Sequence, residues 1–144
     1  MAITSNAICN SFKKELLEAK HNFSNPGGNS FKLAMYTSAA VIGKSTTSFL
    51  TTGQVSSPSG YSSGGKALSN LGTSIATNTA ITDFADLSFT GVTLTARGAL
   101  ICNDTNEDSA VCVLDFGGDK TATAGTFTIQ FPAFTTSAAI LRIA

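Results

Sequence analysis

Between Leu94 and Ala144 the chain reads LTARGALICNDTNEDSAVCVLDFGGDKTATAGTFTIQFPAFTTSAAILRIA, a series of short apolar runs broken by polar turns. Within it Phe127, Ile129 and Phe131 alternate with Thr126, Thr128 and Gln130. A period of two belongs to a strand with one face buried and the other solvated. A helix cannot carry it, because same-face neighbours on a helix recur every three or four residues. The stretch holds no set of side chains arranged for covalent chemistry. The pattern alone therefore predicts a mostly β domain that packs or binds.

Elsewhere the same punctuation continues. Ser30 to Thr37 (SFKLAMYT) places Phe31, Leu33 and Met35 on one face and Lys32 and Tyr36 on the other. Weak strand candidates lie at Thr47 to Leu50 and around Val55, within a Ser-, Thr- and Gly-rich segment from 38 to 66. Residues 56–66 (SSPSGYSSGGK) read as an exposed loop with Gly64-Gly65 as its turn. Further strands are expected at Ala67 to Ile75, Ala80 to Phe84, Asp86 to Thr90, Val92 to Asn103, Ala110 to Phe116, Gly125 to Phe131 and Ala138 to Ile143. One helix is expected, over residues 8–20, where Ile8, Phe12 and Leu16 repeat every four residues, Cys9 and Leu17 widen the stripe, and Lys13, Lys14 and Glu18 take the other side. Asn6 or Ser5 would cap it, and Asn25-Pro26-Gly27-Gly28-Asn29 would end it in a turn. Short strands with regular turn signals predict an antiparallel β-sandwich or jelly-roll-like domain, mainly β, with one N-terminal α-helix. The 144 residues form a single domain, with an arm and helix over 1–24 and strands over 30–144. The lack of βαβ alternation excludes a Rossmann-type fold.

Charged residues make up only 12% of the chain, about half the usual share. Seventeen Ser and twenty Thr fill the polar positions instead, and the formal net charge is zero. So little charge gives weak colloidal protection to a free monomer and points to life in an assembly. Lys13, Lys14, Lys20 and Lys32 are the nearest approach to a basic patch, and Glu15 and Glu18 offset them, so nucleic acid is not an expected partner. No apolar run has the length of a membrane span, and Met1 to Asn10 lacks the basic start and apolar core of a signal peptide. Three cysteines, Cys9, Cys102 and Cys112, with no C-x-x-C pair, are expected to be reduced, buried and apolar in role.

Each candidate for chemistry has a plainer reading. His21, the lone histidine, has no nucleophile at a suitable spacing and reads as a helix-end residue near the C-terminal dipole. Gly43-Lys44-Ser45 resembles the end of a phosphate loop, but position 38 is serine and no helix follows. Asp104, Asn106 and Asp108, with Asp115 at the twelfth position, match a calcium loop superficially; Ser109 replaces the required glycine and a strand follows, so a solvated turn is expected. Asp83 with Asp86, and Asp115 with Asp119, are paired acids of the kind glycosidases use, though Asp119-Lys120 in GGDK reads better as a turn. With no Trp, and only Tyr36 and Tyr61, a sugar-binding cleft is unsupported. Arg97 sits in a strand-like run and is expected to pair with Asp115 on the next strand. No catalytic residue, metal, cofactor or small-molecule substrate is expected.

Several segments carry a resemblance to a known family. Phe12-Lys13-Lys14-Glu15-Leu16-Leu17-Glu18, His21-Asn22-Phe23 and Phe31 to Ala39 (FKLAMYTSA) belong to it, as do Gly64-Gly65-Lys66-Ala67-Leu68, Thr95 to Ile101 (TARGALI), Ala110 to Lys120 (AVCVLDFGGDK) and Phe127 to Pro132 (FTIQFP). Together they resemble a family of small tailed-bacteriophage virion proteins. The resemblance runs nearly end to end and is weakest over residues 40–62. Its motifs are structural rather than catalytic. Cys102 and Cys112 stand where the family pattern has an aromatic and a small apolar residue, so neither is read as functional.

The resemblance implies a non-enzymatic virion structural protein, made in the host cytoplasm. The first expectation is a capsid decoration or cement protein on the outer head shell, binding the major capsid protein and copies of itself as a homotrimer. The second is a tail, collar or fibre-attachment component, and a host-surface glycan-binding module stands behind both. The expected partner contacts are Ile3, Ile8 and Phe12 on the arm and helix, and Tyr61 in the loop. The competing reading has Ile8, Phe12 and Leu16 covering the chain's own core.

Overall fold

A computed structural model of the chain describes residues 3–56 and 60–144. It is mainly β: β1 Ala7–Ile8, α1 Asn10–Leu17, β2 Phe31–Tyr36, β3 Lys66–Ala67, β4 Asn70–Ala76, β5 Thr79–Phe84, β6 Leu87–Asn103, β7 Ser109–Ile129 and β8 Leu141–Ile143. Two antiparallel sheets form the sandwich, one ordered β1-β7-β6-β2-β3 and the other β4-β5-β8.

The large sheet is built on a single hairpin. β6 has 17 residues and β7 has 21, and they pair from Leu87↔Ile129 up to Asn103↔Ser109. A straight strand of β7's length would run about 70 Å at roughly 3.3 Å per residue, too long for a domain whose radius of gyration is about 15 Å. The hairpin therefore has to bend, and its register shows where. Phe89↔Phe127 is followed by Val92↔Gly125, then Leu94↔Ala122, and Ala96↔Lys120 is followed by Gly98↔Asp115. Gly91, Ala124 and Gly117 take positive φ at these bulges.

This corrects two expected breaks. Asp86 to Thr90 and Val92 to Asn103 are one strand, and the GGDK segment at 117–120 is a bulge inside β7 rather than a turn between two strands. Both sides of GGDK pair with the same partner, so the glycines give a kink and the chain runs on. At Gly98 an added Cβ would meet Leu114 O at 2.5 Å and Ile3 Cδ1 at 2.8 Å. The missing side chain is the notch into which Ile3 packs.

The outer face of β2 is not solvated. Tyr36, expected on that face, is fully buried; its hydroxyl donates to Leu50 O at 2.7 Å and accepts from Leu50 N at 3.3 Å. Ala40, Ile42 and Val55 bury the connecting segment over the sheet. The weak strand signals survive there only as isolated bridges, Ser48↔Ser109 and Tyr36↔Gln54. Gly64 and Gly65 do turn, at φ +92° and +85°. The loop expected over 56–66 is partly buried instead, through Tyr61; residues 57–59 lie outside the described residues.

Aromatic rings join the layers. Phe23 stacks on Phe31 of β2 at 4.4 Å, Phe31 meets Phe84 of β5 at 5.7 Å, Phe84 meets Phe131 at 5.7 Å, and Phe12 of α1 meets Phe23 at 6.0 Å. Each such pair adds about 0.5–1.5 kcal/mol beyond its area burial.

The helix is shorter than its expected span, and its N-cap is Cys9, with no side-chain capping bond. Asn6 does not cap it; its Oδ1 accepts from the Asp115 amide at 2.6 Å. At the other end Ala19 N–H donates to Leu16 O at 3.1 Å and Lys20 N–H to Glu15 O at 3.0 Å, with Ala19 at φ 59°. This is a Schellman cap with alanine where glycine is preferred. Ala19→Gly is expected to raise stability by about 0.5–1 kcal/mol, since it removes the left-handed Cβ penalty. An unchanged or lower urea midpoint for the variant would show that the cap is not strained.

Candidate functional site

His21 sits four residues past α1 with its side chain wholly buried against the Phe12 ring, 4.8 Å between centroids. Its protonation pattern follows from its neighbours. Asn103 Oδ1 accepts from the amides of Thr105 at 3.1 Å and Asn106 at 3.2 Å, which orients its Nδ2 toward His21 Nδ1 at 3.0 Å. Nδ1 is thus the acceptor, and Nε2–H donates to Glu15 Oε2 at 2.6 Å. Asn103 Nδ2 also donates to Asn29 Oδ1 at 3.0 Å, and Asn106 Nδ2 to Lys20 O at 2.6 Å. Lys20 completes the cluster, 3.8 Å from Glu15 and 3.3 Å from Glu107. Both ring nitrogens are engaged, so His21 is a clip tying α1 and the turn after it to the tip of the β6–β7 hairpin. His21 lies just past the helix end as expected, and this side-chain network holds it there.

Of the acidic candidates, Asp104, Asp108 and Asp115 are held by cations. Asp104 and Asp108 flank the Lys32 ammonium at 3.1 and 2.9 Å. Burial alone would lower the Lys32 pKa, but the bonds from Asp108 and Asp104 outweigh it and the net shift is upward. Arg97 pairs with Asp115 across the hairpin as expected. The Gly117 amide and the Arg97 guanidinium hold the Asp115 carboxyl below its usual range. Among the described residues no three His, Cys, Asp or Glu side chains cluster as metal ligands. In the Gly43-Lys44-Ser45 segment the Gly43 amide bonds Thr46 Oγ1 at 3.0 Å, and Lys44 O accepts from the Asn10 amide at 2.8 Å, backing the loop onto the start of α1.

Asp83 differs from these. It is fully buried in β5; Oδ1 accepts from the Phe84 amide at 2.8 Å, the Ile140 amide lies nearby, and Oδ2 makes no well-formed hydrogen bond among the described residues. Burial pushes its carboxyl pKa up, against the pull of the Phe84 and Ile140 amides. Asp86, three residues on, instead accepts from the Phe131 amide at 2.8 Å. The three cysteines are free and buried; burial pushes Cys9 up to about 11, Cys102 to about 12 and Cys112 higher still. Such thiols are poor nucleophiles.

The residues expected to meet a partner fare unevenly. Ile3, Phe12 and Tyr61 lie inside the chain's own core, at 1%, 2% and 1% exposure. The arm folds back so that Ile3 fills the Gly98 notch, Phe12 joins the aromatic cluster, and the Tyr61 hydroxyl accepts from the Met35 amide at 2.9 Å and donates to Gln54 at 3.0 Å. In the single chain these three are core residues. Ile8 alone stays partly open, at 38%.

Ile8 borders a groove that no local pattern announces. It encloses about 800 Å³ between the bent β7 and the C-terminal segment, with Phe116, Phe127 and Ile140 among its apolar lining and Lys120 and Arg142 among its charges. Consecutive residues line it, 112–116 and 126–132, so it looks onto the edge of β7 rather than one face. The bulges create this concavity by joining segments far apart in the chain, which is why periodicity missed it. No helix among the described residues is long and apolar enough to cross a membrane. Comparison with protein-family models, curated proteins and solved structures finds no match to this chain.

Two consequences are measurable. Asn103→Ala removes the acceptor for two amides and the donor to His21 together, and should cost on the order of 3 kcal/mol in urea unfolding; a loss under about 1 kcal/mol would mean the clip is slack. Asp83 carries an opposite sign. Its folded pKa is raised, so its ionisation opposes folding: the penalty is absent below the ordinary carboxyl range near about 4, grows as pH rises toward the folded value, and stays constant above it. Asp83→Asn is therefore expected to stabilise the protein at pH 7 by on the order of 1 kcal/mol, with the gain vanishing in acid. A gain that persists unchanged at pH 3 would assign the effect to something other than charge.

Proposed function

We propose that this chain is a structural protein of a tailed-phage virion, a capsid decoration or cement protein. It binds the outer head shell, bridges neighbouring major capsid subunits, and associates with copies of itself as a trimer. Its work is mechanical and non-enzymatic: burying surface between subunits opposes the outward pressure of packaged DNA.

The observation that carries this reading is where the family-like segments fall. FKLAMYTSA contains β2, TARGALI lies on β6, AVCVLDFGGDK and the first half of FTIQFP lie on β7, and FKKELLE lies on α1 and its cap. The resemblance is thus one of scaffold. It includes the Arg97–Asp115 pair and the His21 clip, both of which serve packing.

The surface agrees with a chain that is covered in use. Ile75 and Ile143 are 70% and 62% exposed and share one row of the small sheet through Ala80. Leu17 and Val41 are 91% and 63% exposed. In a chain of zero net charge, such residues favour association over solvation.

Purified particles provide the test. Quantitative gel stoichiometry followed by imaging should find on the order of hundreds of copies on the head, as icosahedral repetition requires. About a dozen copies near the tail would replace the cement role with an attachment role. Absence from particles would remove both.

A further inference from the structure

We infer that the groove beside β7 is a docking site for an extended, acidic segment of a partner protein, taken up as an added strand on the outer edge of β7. The inference does not rest on the virion reading.

Three observations meet there. The first is an open edge. β1 pairs with β7 only at Ala7↔Val113 and Ile8↔Cys112. Asn6 then spends its side chain on the Asp115 amide and the arm turns inward, so that Ile3 reaches Gly98. Beyond that point no strand among the described residues pairs with the outer side of β7. From Phe127 to Ile129 the inner side is in regular register with Leu87 to Phe89. An antiparallel strand directs the N–H and C=O groups of alternate residues outward, so this stretch presents to the groove main-chain groups that no strand among the described residues pairs. Pro132, without an N–H, marks the end of what a guest strand can use.

The second observation is shape. The groove's volume of about 800 Å³ falls in the range of formed binding clefts. Phe116, Phe127 and Ile140 offer apolar contact to alternate side chains of a guest, the division of labour seen when a peptide extends a sheet.

The third is charge. The charged lining residues are Asp115, Lys120 and Arg142. Asp115 is neutralised by Arg97. Neither Lys120 nor Arg142 has a carboxylate partner among the described residues, and Arg142 Nη1 is anchored on the carbonyls of Thr136 and Ser137 at 3.4 and 3.0 Å. Two cations over an apolar floor select an extended segment bearing carboxylates and disfavour a basic one.

The experiment uses the full chain and two fluorescein-labelled octapeptides, one alternating valine with glutamate and the other valine with lysine. Saturable anisotropy is expected for the glutamate peptide, with binding at least about tenfold weaker for the lysine peptide. Lys120→Glu, at an exposed position, should weaken the glutamate peptide by about tenfold while circular dichroism stays unchanged. Amide hydrogen exchange should slow between residues 126 and 130. No saturable binding, equal binding of both peptides, or protection confined to other strands would overturn the proposal. Self-association that protects the same amides without peptide would assign the groove to a second copy and overturn it equally.

Discussion

The structure depends on one pairing, β6 with β7. Every other strand of the large sheet is attached to it: β2 along Gly98 to Asn103, β3 through β2, and β1 along Cys112 and Val113. A hairpin of this length cannot stay straight inside a small domain, so the bulges are part of the architecture. They divide the hairpin into a broad half, covered on both faces and joined by further strands on both sides, and a distal half in which β6 and β7 have no other ladder partner among the described residues. In the broad half Leu100, Ile101, Val111 and Val113 are wholly buried. In the distal half burial alternates, with Leu87, Phe89, Val92 and Leu94 in and Thr90, Thr93 and Thr95 out.

That division explains how a chain with so few charges keeps an exposed ribbon in register. Hydroxyl pairs do the work: Ser88 with Thr128 at 3.0 Å and Thr95 with Thr121 at 2.9 Å, while Thr93 Oγ1 accepts from the Ala124 amide at the bulge, also at 2.9 Å. Cross-strand threonine pairs contribute a few tenths of a kcal/mol to about 1 kcal/mol each, without the salt sensitivity of ion pairs. Ion pairs appear instead where segments must be located: Lys32 on the hairpin tip, and Arg97 across the β7 bulge.

The same contrast shows why some features could be read from the sequence and others could not. Alternation around Phe127 and Ile129 was legible because one face of the distal ribbon is solvated. The Arg97–Asp115 pair was legible because a cation flanked by apolar residues requires a counter-charge nearby. The solvated turn at 104–108 was legible from its Asp and Asn content, and it proves to be the hairpin tip. What escaped were non-local effects. Gly117-Gly118 reads as a turn because nothing nearby reveals that both flanks return to β6. Tyr36 reads only as opposite the Phe31, Leu33 and Met35 face, because the segment that covers it, through Leu50, has no periodicity of its own. His21 reads as isolated because Asn103, the residue that sets its tautomer, lies 82 positions away.

Edges complete the argument. An open strand edge invites indiscriminate pairing, and proteins usually blunt it with bulges, charges or a covering segment. The β6 edge of the distal ribbon is covered: Gly60 lies so close that an added Cβ would stand 2.9 Å from Gly91 O, and Lys66 Nζ donates to Ser88 O at 2.5 Å. The β7 edge is blunted by two bulges and by Lys120 between them. Only the few residues ending at Ile129 are both regular and uncovered, and they face a lined groove instead of bulk solvent. A fold that shields the rest of this hairpin by three different means, yet leaves this short length open beside two cations with no carboxylate partner among the described residues, restricts strand addition along β7 to one place and one charge.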